Sequence, residues 1–401
     1  MKKAVKDRGL NWIVALVSVV AFGSAAGAEE GNAARMLGGM QWEADKVPFS
    51  FTYHTVPFSA LSGKWEHTVT QQAGDEFTAY QHRYADPESG LRVTAEVKQY
   101  SQLPAVEWVL YFSNEGDQNT AIIEDVFPLQ AQLPAAAFHT YTLHYAKGDE
   151  FSAESYAPLR KVFSTMNSIG NVQFQSSRGR SSDAYLPFFN MQIDSYGVIG
   201  ALGWTGDWQM DIGRSGNAVK LVGGMKKTRF FLYPQEKVRT PRILLMEWQG
   251  ELEESYNTWR RFLLRHYSPK GADQTHLKMP VCYLNWGEVT CQEQIRRAQE
   301  AIDKGFEYEV FWIDAGWYGS AQVKENSTVF DGVWGTQSGN WWPNQGLFPE
   351  GMKPLSDFLK QHNKELLIWF QPEIANGGSE LAQKHPDWLL GGGLVNLGNP
   401  E

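Results

Sequence analysis

Cysteine is nearly absent from these 401 residues: only Cys282 and Cys291 occur, too few for a disulfide framework to carry the fold. They stand in a segment that reads as a strand and then a helix, and two buried free thiols are expected rather than a bridge. The nine histidines are scattered, with no paired Cys/His spacing and no H-E-x-x-H, so no metal is expected. Neither a Gly-rich phosphate loop nor a G-x-S-x-G elbow occurs, and no cofactor is expected. Basic blocks are missing as well. With a net charge of −9 and no Lys/Arg stripe, the electrostatic footprint for a polyanion is lacking, and nucleic acid is not expected as a partner. No later stretch approaches the roughly 18 unbroken apolar residues of a membrane helix, which argues against a membrane span.

Aromatic residues, by contrast, are plentiful: 16 Trp, 16 Tyr and 22 Phe. Such rings stack on the C–H faces of sugars and also build large cores, and composition alone favours the core. The first 28 residues have the form of a signal peptide. Lys2, Lys3, Lys6 and Arg8 supply a charged start, Trp12 to Phe22 a short apolar stretch, and Ala26-Gly27-Ala28 a small-residue cleavage site. Export to a periplasmic or extracellular location is the expectation, with the mature chain starting near Glu29.

Two rhythms divide the remainder. Up to about residue 248 the chain repeats short period-two runs broken by Gly, Pro, Asn and Asp. Leu91, Val93, Ala95 and Val97 share one face of such a run; Val106, Trp108, Leu110 and Phe112 share one face of the next. A β-sandwich over 29–250 is expected. A helix follows, with Leu252, Tyr256, Trp259, Leu263 and Tyr267 on its apolar face, as a connector within 251–278.

From 279 to 401 strands and helices alternate. Strands are expected at Val281 to Trp286, Tyr308 to Asp314 and Leu366 to Glu373, with a helix after the first opened by Thr290 and Glu293 and closed by Gly305. A long loop runs to Pro349, and helical segments follow around Leu355 and over Glu380 to Leu389. This is the opening of a parallel (β/α)8 TIM-type barrel, which needs eight strands and about 250 residues. Only three or four units fit, so the barrel is expected to be incomplete within this chain; a small three-stranded α/β domain is the alternative.

In such a barrel the active site lies at the C-terminal strand ends. Here these are Asn285-Trp286-Gly287-Glu288, Asp314-Ala315-Gly316-Trp317 and Trp369-Phe370-Gln371-Pro372-Glu373. Indoles beside carboxylates suit a neutral polyol, because the ring stacks and the carboxylate accepts hydroxyl hydrogen bonds. Asp314 ends an apolar strand, where it either binds substrate hydroxyls or caps the following loop. Glu373 either touches sugar or orients its neighbours, and Trp369 either stacks on a ligand or joins the core.

These residues resemble glycoside hydrolase family 36, the melibiase-type α-galactosidases. The resemblance rests on five ordered motifs: Ile313 to Gly319, Phe348 to Leu355, Ile368 to Glu373, Lys384 to Leu390 and Asn396 to Glu401. Leu103 to Trp108 and Gly203 to Trp208 extend it into the first half. It implies an N-terminal β-supersandwich followed by a catalytic barrel, and retaining hydrolysis of terminal α-linked galactose. α-Galactosides or related oligosaccharides are the implied partners, and self-association into a homo-oligomer is left open. The resemblance makes Asp314 and Trp369 substrate-binding candidates and puts Trp204 on the leaving-group side; the strand-end reading adds Trp317, Glu373 and Trp286 as substrate-binding candidates.

This sequence departs from the family pattern at several positions. Ala315 stands where many members carry a second Asp, which removes one hydroxyl acceptor; Gln371 replaces the usual Glu, and Asn399 an Arg found in several members. The family's nucleophile follows a Lys-Trp-Asp type strand and its acid/base lies on a later one. Neither is found here, so the catalytic pair is expected beyond Glu401. An α-N-acetylgalactosaminidase, a transglycosylase and a non-catalytic carbohydrate-binding relic are the alternatives.

Overall fold

The computed structural model describes residues 36–43, 46–134, 139–163, 169–273, 275–320, 333–372 and 374–389. The expected signal peptide, Glu373 and the Asn396 to Glu401 motif lie outside the described residues. The chain divides into two compact units, Met1–Tyr267 and Ser268–Glu401. Among the described residues, no helix is long and apolar enough to cross a membrane.

Among the described residues, the first unit is built from antiparallel strands in one ten-stranded sheet and two four-stranded sheets. Strand Leu91–Tyr100 shows why: Leu91, Val93, Ala95 and Val97 are buried, and the residues between them face outward, as period-two alternation requires. Its neighbour Ala105–Asn114 is buried on both faces. Trp108, Leu110 and Phe112 enter the main core with Phe51, Ile123, Ile212 and Leu221 from the smaller sheets. On the other face, Ala105 packs with Leu244, Met246 and Trp248, and helix α1 (Leu252–His266) covers them with Trp259 and Phe262.

Helix α1 thus belongs to the first unit, whose boundary falls after Tyr267. Glu107, buried beneath it, joins helix to sheet. Its carboxylate accepts from the hydroxyls of Tyr267 and Tyr100, the latter at 3.3 Å, and pairs with Lys98 at 3.2 Å and Arg242 at 3.1 Å. Burial, followed by the nearby carboxylate, pushes both phenol pKa values up.

Among the described residues, the second unit holds three parallel strands in the order β1 (Cys282–Asn285), β2 (Val310–Ile313), β3 (Glu365–Ile368). Helix α2 (Cys291–Asp303) starts where expected: Thr290 Oγ1 accepts from the Glu293 backbone N–H at 3.2 Å. The Glu293 carboxylate turns to Arg296 and Arg297 instead of completing a capping box, and these bonds hold its pKa down at about 2. Phe311 and Ile313 of β2 pack beneath α2 and α3 (Lys353–Gln361), against Ala298, Ala301, Leu355 and Leu359.

The other sheet face is open. Leu284, Trp312 and Leu367 form one row across the strands, with Leu284 53% and Leu367 40% exposed. Cys282 lies on the same face of β1 as Leu284, and is exposed, so the expectation of two buried thiols holds only for Cys291. A parallel strand reads as apolar on both faces, and its sequence does not say which face a helix covers.

Candidate functional site

The three strands end level with one another, Asn285 opposite Ile313 and Ile313 opposite Ile368. Backbone bonds carry this alignment one residue further. The Asp314 N–H donates to the Asn285 carbonyl at 2.8 Å, and the Trp369 N–H to the Ile313 carbonyl at 2.9 Å. Asp314 therefore stands between the strand ends that bear Trp286 and Trp369. It is half-buried, and its Oδ1 accepts from the Ala315 N–H at 2.7 Å, so it does cap its own loop. Its second oxygen has no hydrogen-bond partner among the described residues, leaving one acceptor for a ligand.

Glu288 is a second carboxylate at the same end. It is only 4% exposed, and its Oε2 accepts from Trp286 Nε1 at 3.0 Å. Two glycines make room for this arrangement. A Cβ on Gly287 would stand 2.5 Å from the Ala315 carbonyl oxygen, and one on Gly316, at φ +96°, would stand 2.2 Å from Glu288 Cγ. Helix α2 braces the turn from below, with Gln294 Nε2 donating to the Trp286 carbonyl at 2.7 Å.

Aromatic rings crowd around the carboxylates. Trp369 is half-buried, with ring centroids 6.5 Å from Tyr318, 6.0 Å from Trp334 and 6.4 Å from Trp341. Trp334 also meets Trp286 edge-on at 6.0 Å. Trp317 is 3% exposed, its Nε1 donating to the Trp369 carbonyl at 2.9 Å and its ring packed on Tyr318, Trp341 and Phe370. Its role is packing, since no face is free to stack on a sugar. Trp204 lies in the first unit, half-buried against the main core with the Arg239 guanidinium 5.4 Å over its ring. Glu373 is outside the described residues.

The Tyr318 hydroxyl is fully buried and, among the described residues, makes no hydrogen bond of ordinary geometry. Burial pushes its pKa up to about 12; Ser338 beside it opposes the shift, while the charges of Glu288 and Asp314 add to it. The phenol is thus a neutral donor close to both carboxylates.

Glu288 was visible in the sequence only as part of a strand-end motif, and the rings of Trp334, in the one-turn helix Val333–Thr336, and Trp341 did not stand out because the segment that carries them has no periodicity. That segment folds back through the Gly319 N–H to Trp342 carbonyl bond at 2.9 Å and the Asn344 N–H to Trp317 carbonyl bond at 2.8 Å. The consecutive tryptophans at 341 and 342 were the available signal. Among the described residues, no three His, Cys, Asp or Glu side chains gather as a metal site requires. Two carboxylates with spare acceptors, ringed by indoles, suit a neutral polyhydroxylated ligand.

Residues 244–395 match the melibiase family. The chain is 26% identical to α-galactosidase 2 of Hypocrea jecorina over 352 residues, covering 80% of this chain and 43% of that protein. It shares a fold with the family 36 α-galactosidase AgaB of Geobacillus stearothermophilus, at TM-score 0.64 and 17% identity, over 88% of this chain and 49% of the other. A singly substituted form of AgaA from the same organism, in complex with 1-deoxygalactonojirimycin, is similar at TM-score 0.65 and 17% identity, with the same coverage of 88% and 49%. The chain spans less than half the length of these proteins.

Proposed function

We propose that this chain, which is of the melibiase-type α-galactosidase class in glycoside hydrolase family 36, supplies the sugar-holding wall of a retaining hydrolase for terminal α-linked galactose. The observation that carries this is Asp314, with one carboxylate oxygen unpartnered among the described residues, between the strand ends bearing Trp286 and Trp369. Asp314 accepts sugar hydroxyls, and the half-buried Trp369 offers a ring to the apolar face of the pyranose.

The three parallel strands are the first arc of a (β/α)8 barrel. In support, the row Leu284, Trp312 and Leu367 is apolar and open, whereas parallel sheets bury both faces. Further strands complete the enclosure and bring the nucleophile and the acid/base, which a retaining mechanism sets about 5 to 5.5 Å apart. The part played by Asp314 and Trp369 is to hold the non-reacting hydroxyls so that the anomeric carbon faces that pair. Binding energy gathered at these positions fixes the geometry in which the glycosidic bond breaks. The protein acts after export, on α-galactosides outside the cytoplasm.

The test is to offer the 401-residue chain methyl α-galactoside in a binding titration and an aryl α-galactoside in a turnover assay. Binding without turnover is expected, with binding weakened about tenfold in Asp314→Asn, the scale of one charge-assisted bond. Turnover that disappears in Asp314→Asn would overturn the assignment, since the reacting carboxylate would then lie here. Tighter binding of α-N-acetylgalactosaminides or α-glucosides would overturn the galactose specificity.

A further inference from the structure

Position 315 is alanine, buried with its methyl in the apolar cluster beneath the strands, so it offers a sugar no acceptor. The space over the next residue is filled from another strand end. Glu288, arriving from the end of β1, places its side chain directly above Gly316: a Cβ built there would lie 2.2 Å from Glu288 Cγ and 3.1 Å from Cδ. Only glycine tolerates both this approach and φ +96°. The side chain is nearly sealed from solvent at 4% exposure, and among the described residues only its Oε2 has a hydrogen-bond partner, Trp286 Nε1 at 3.0 Å.

A carboxylate buried to this degree is costly unless its remaining acceptor is filled. Among the described residues no cation pairs with it. An independent feature of the same place is the Tyr318 hydroxyl, fully buried and, among the described residues, without a hydrogen bond of ordinary geometry, the Ser338 side chain standing beside it. A free acceptor and a free donor at one strand-end cluster match a hydroxyl group, which both donates and accepts.

We propose that Glu288, seated over Gly316, is a second specificity-determining carboxylate of the sugar site, binding a hydroxyl other than the one held by Asp314, with Tyr318 as the companion donor. This rests on the site's being a sugar site. Glu288 touches a non-reacting hydroxyl, so it acts on which sugar binds and not on bond cleavage.

The experiment is a calorimetric titration of the unsubstituted chain, Glu288→Gln, Gly316→Ala and Asp314→Asn with methyl α-galactoside and its monodeoxy analogues. The unsubstituted chain is expected to lose affinity on removal of at least two different hydroxyls. Glu288→Gln is expected to bind the parent sugar about tenfold more weakly, the scale of one charge-assisted bond, and to become indifferent to the loss of one hydroxyl. Asp314→Asn should become indifferent to a different one. Gly316→Ala, whose methyl displaces the Glu288 side chain, should reproduce the Glu288→Gln pattern. A Glu288→Gln chain that titrates every analogue like the unsubstituted one would overturn the role of Glu288 and leave that of Asp314 standing. Absence of galactoside binding by the unsubstituted chain would overturn both.

Discussion

Lowering the pH should weaken the first unit through one buried pair of imidazoles. His67 and His82 lie on the paired strands Glu66–Ala73 and Phe77–Ala85, with Nε2 of His67 3.3 Å from Nδ1 of His82. His82 is 8% exposed, stacked on Trp42 at 5.4 Å, while His67 stacks on Tyr84 at 4.5 Å. Desolvation, and then the neighbouring imidazole, lowers the His82 pKa to about 3; desolvation also lowers that of His67, against the opposing charge of Glu43. Both rings are therefore neutral in the folded state, where one donates to the other.

An unfolded histidine takes up a proton near pH 6.5, which the folded His82 resists. Between 6.5 and about 3 the unfolded state holds more protons, so the stability from neutral His82 is complete above pH 6.5 and is lost as pH falls towards 3. At pH 5 the loss is about 2 kcal/mol relative to pH 7.5. The assay is urea unfolding of the first-unit transition at pH 7.5, 6 and 5, for the unsubstituted chain and for His82→Phe. The substitution removes a group that must stay uncharged, so the chain should lose about 2 kcal/mol more than the variant between pH 7.5 and 5. Carboxylate titrations are common to both and cancel in this difference. Equal pH slopes would refute the reasoning.

Glu107→Gln should destabilise the first unit by about 2–3 kcal/mol, because two buried tyrosine hydroxyls lose a charged acceptor while Lys98 and Arg242 are exposed enough to rehydrate. Differential scanning calorimetry should show a fall of about 5–10 °C in that transition, and an unchanged transition would contradict the anchoring role. Thr290→Ala removes the N-cap of α2 and should cost the second unit about 1 kcal/mol in urea unfolding, whereas Thr290→Ser should restore it. Trp369→Ala should cost about 2 kcal/mol, less than for a fully buried indole, and abolish the galactoside-induced change in tryptophan fluorescence. The proposed export predicts that N-terminal sequencing of the protein made in its native host reads from near Glu29; a retained Met1 would contradict cleavage of the leader.

The sequence made some of this legible because local pattern and tertiary burial agree. In Leu91–Tyr100 the alternation alone identified the core face, and at α2 the Thr290 cap lies three residues from the N–H it serves. The three parallel strands were likewise readable, although β3 ends at Ile368, before Trp369, so that the indole lies at the strand mouth. What was illegible depends on contacts between distant segments. The exposure of Cys282 follows from which sheet face the helices cover. The packing role of Trp317 follows from Trp341, which a loop without periodicity brings back over the strand ends. Glu288 was visible as an acidic residue beside a tryptophan, but its position over Gly316 required the positive φ of a residue from another strand.

A crystal of this chain soaked with 1-deoxygalactonojirimycin tests the central claim most directly. The ring should lie at the ends of β1, β2 and β3, with a hydroxyl within hydrogen-bond distance of the free Asp314 oxygen and one face towards Trp369. Density for the ligand elsewhere, or an Asp314 carboxylate that remains unoccupied at saturating ligand, would contradict it.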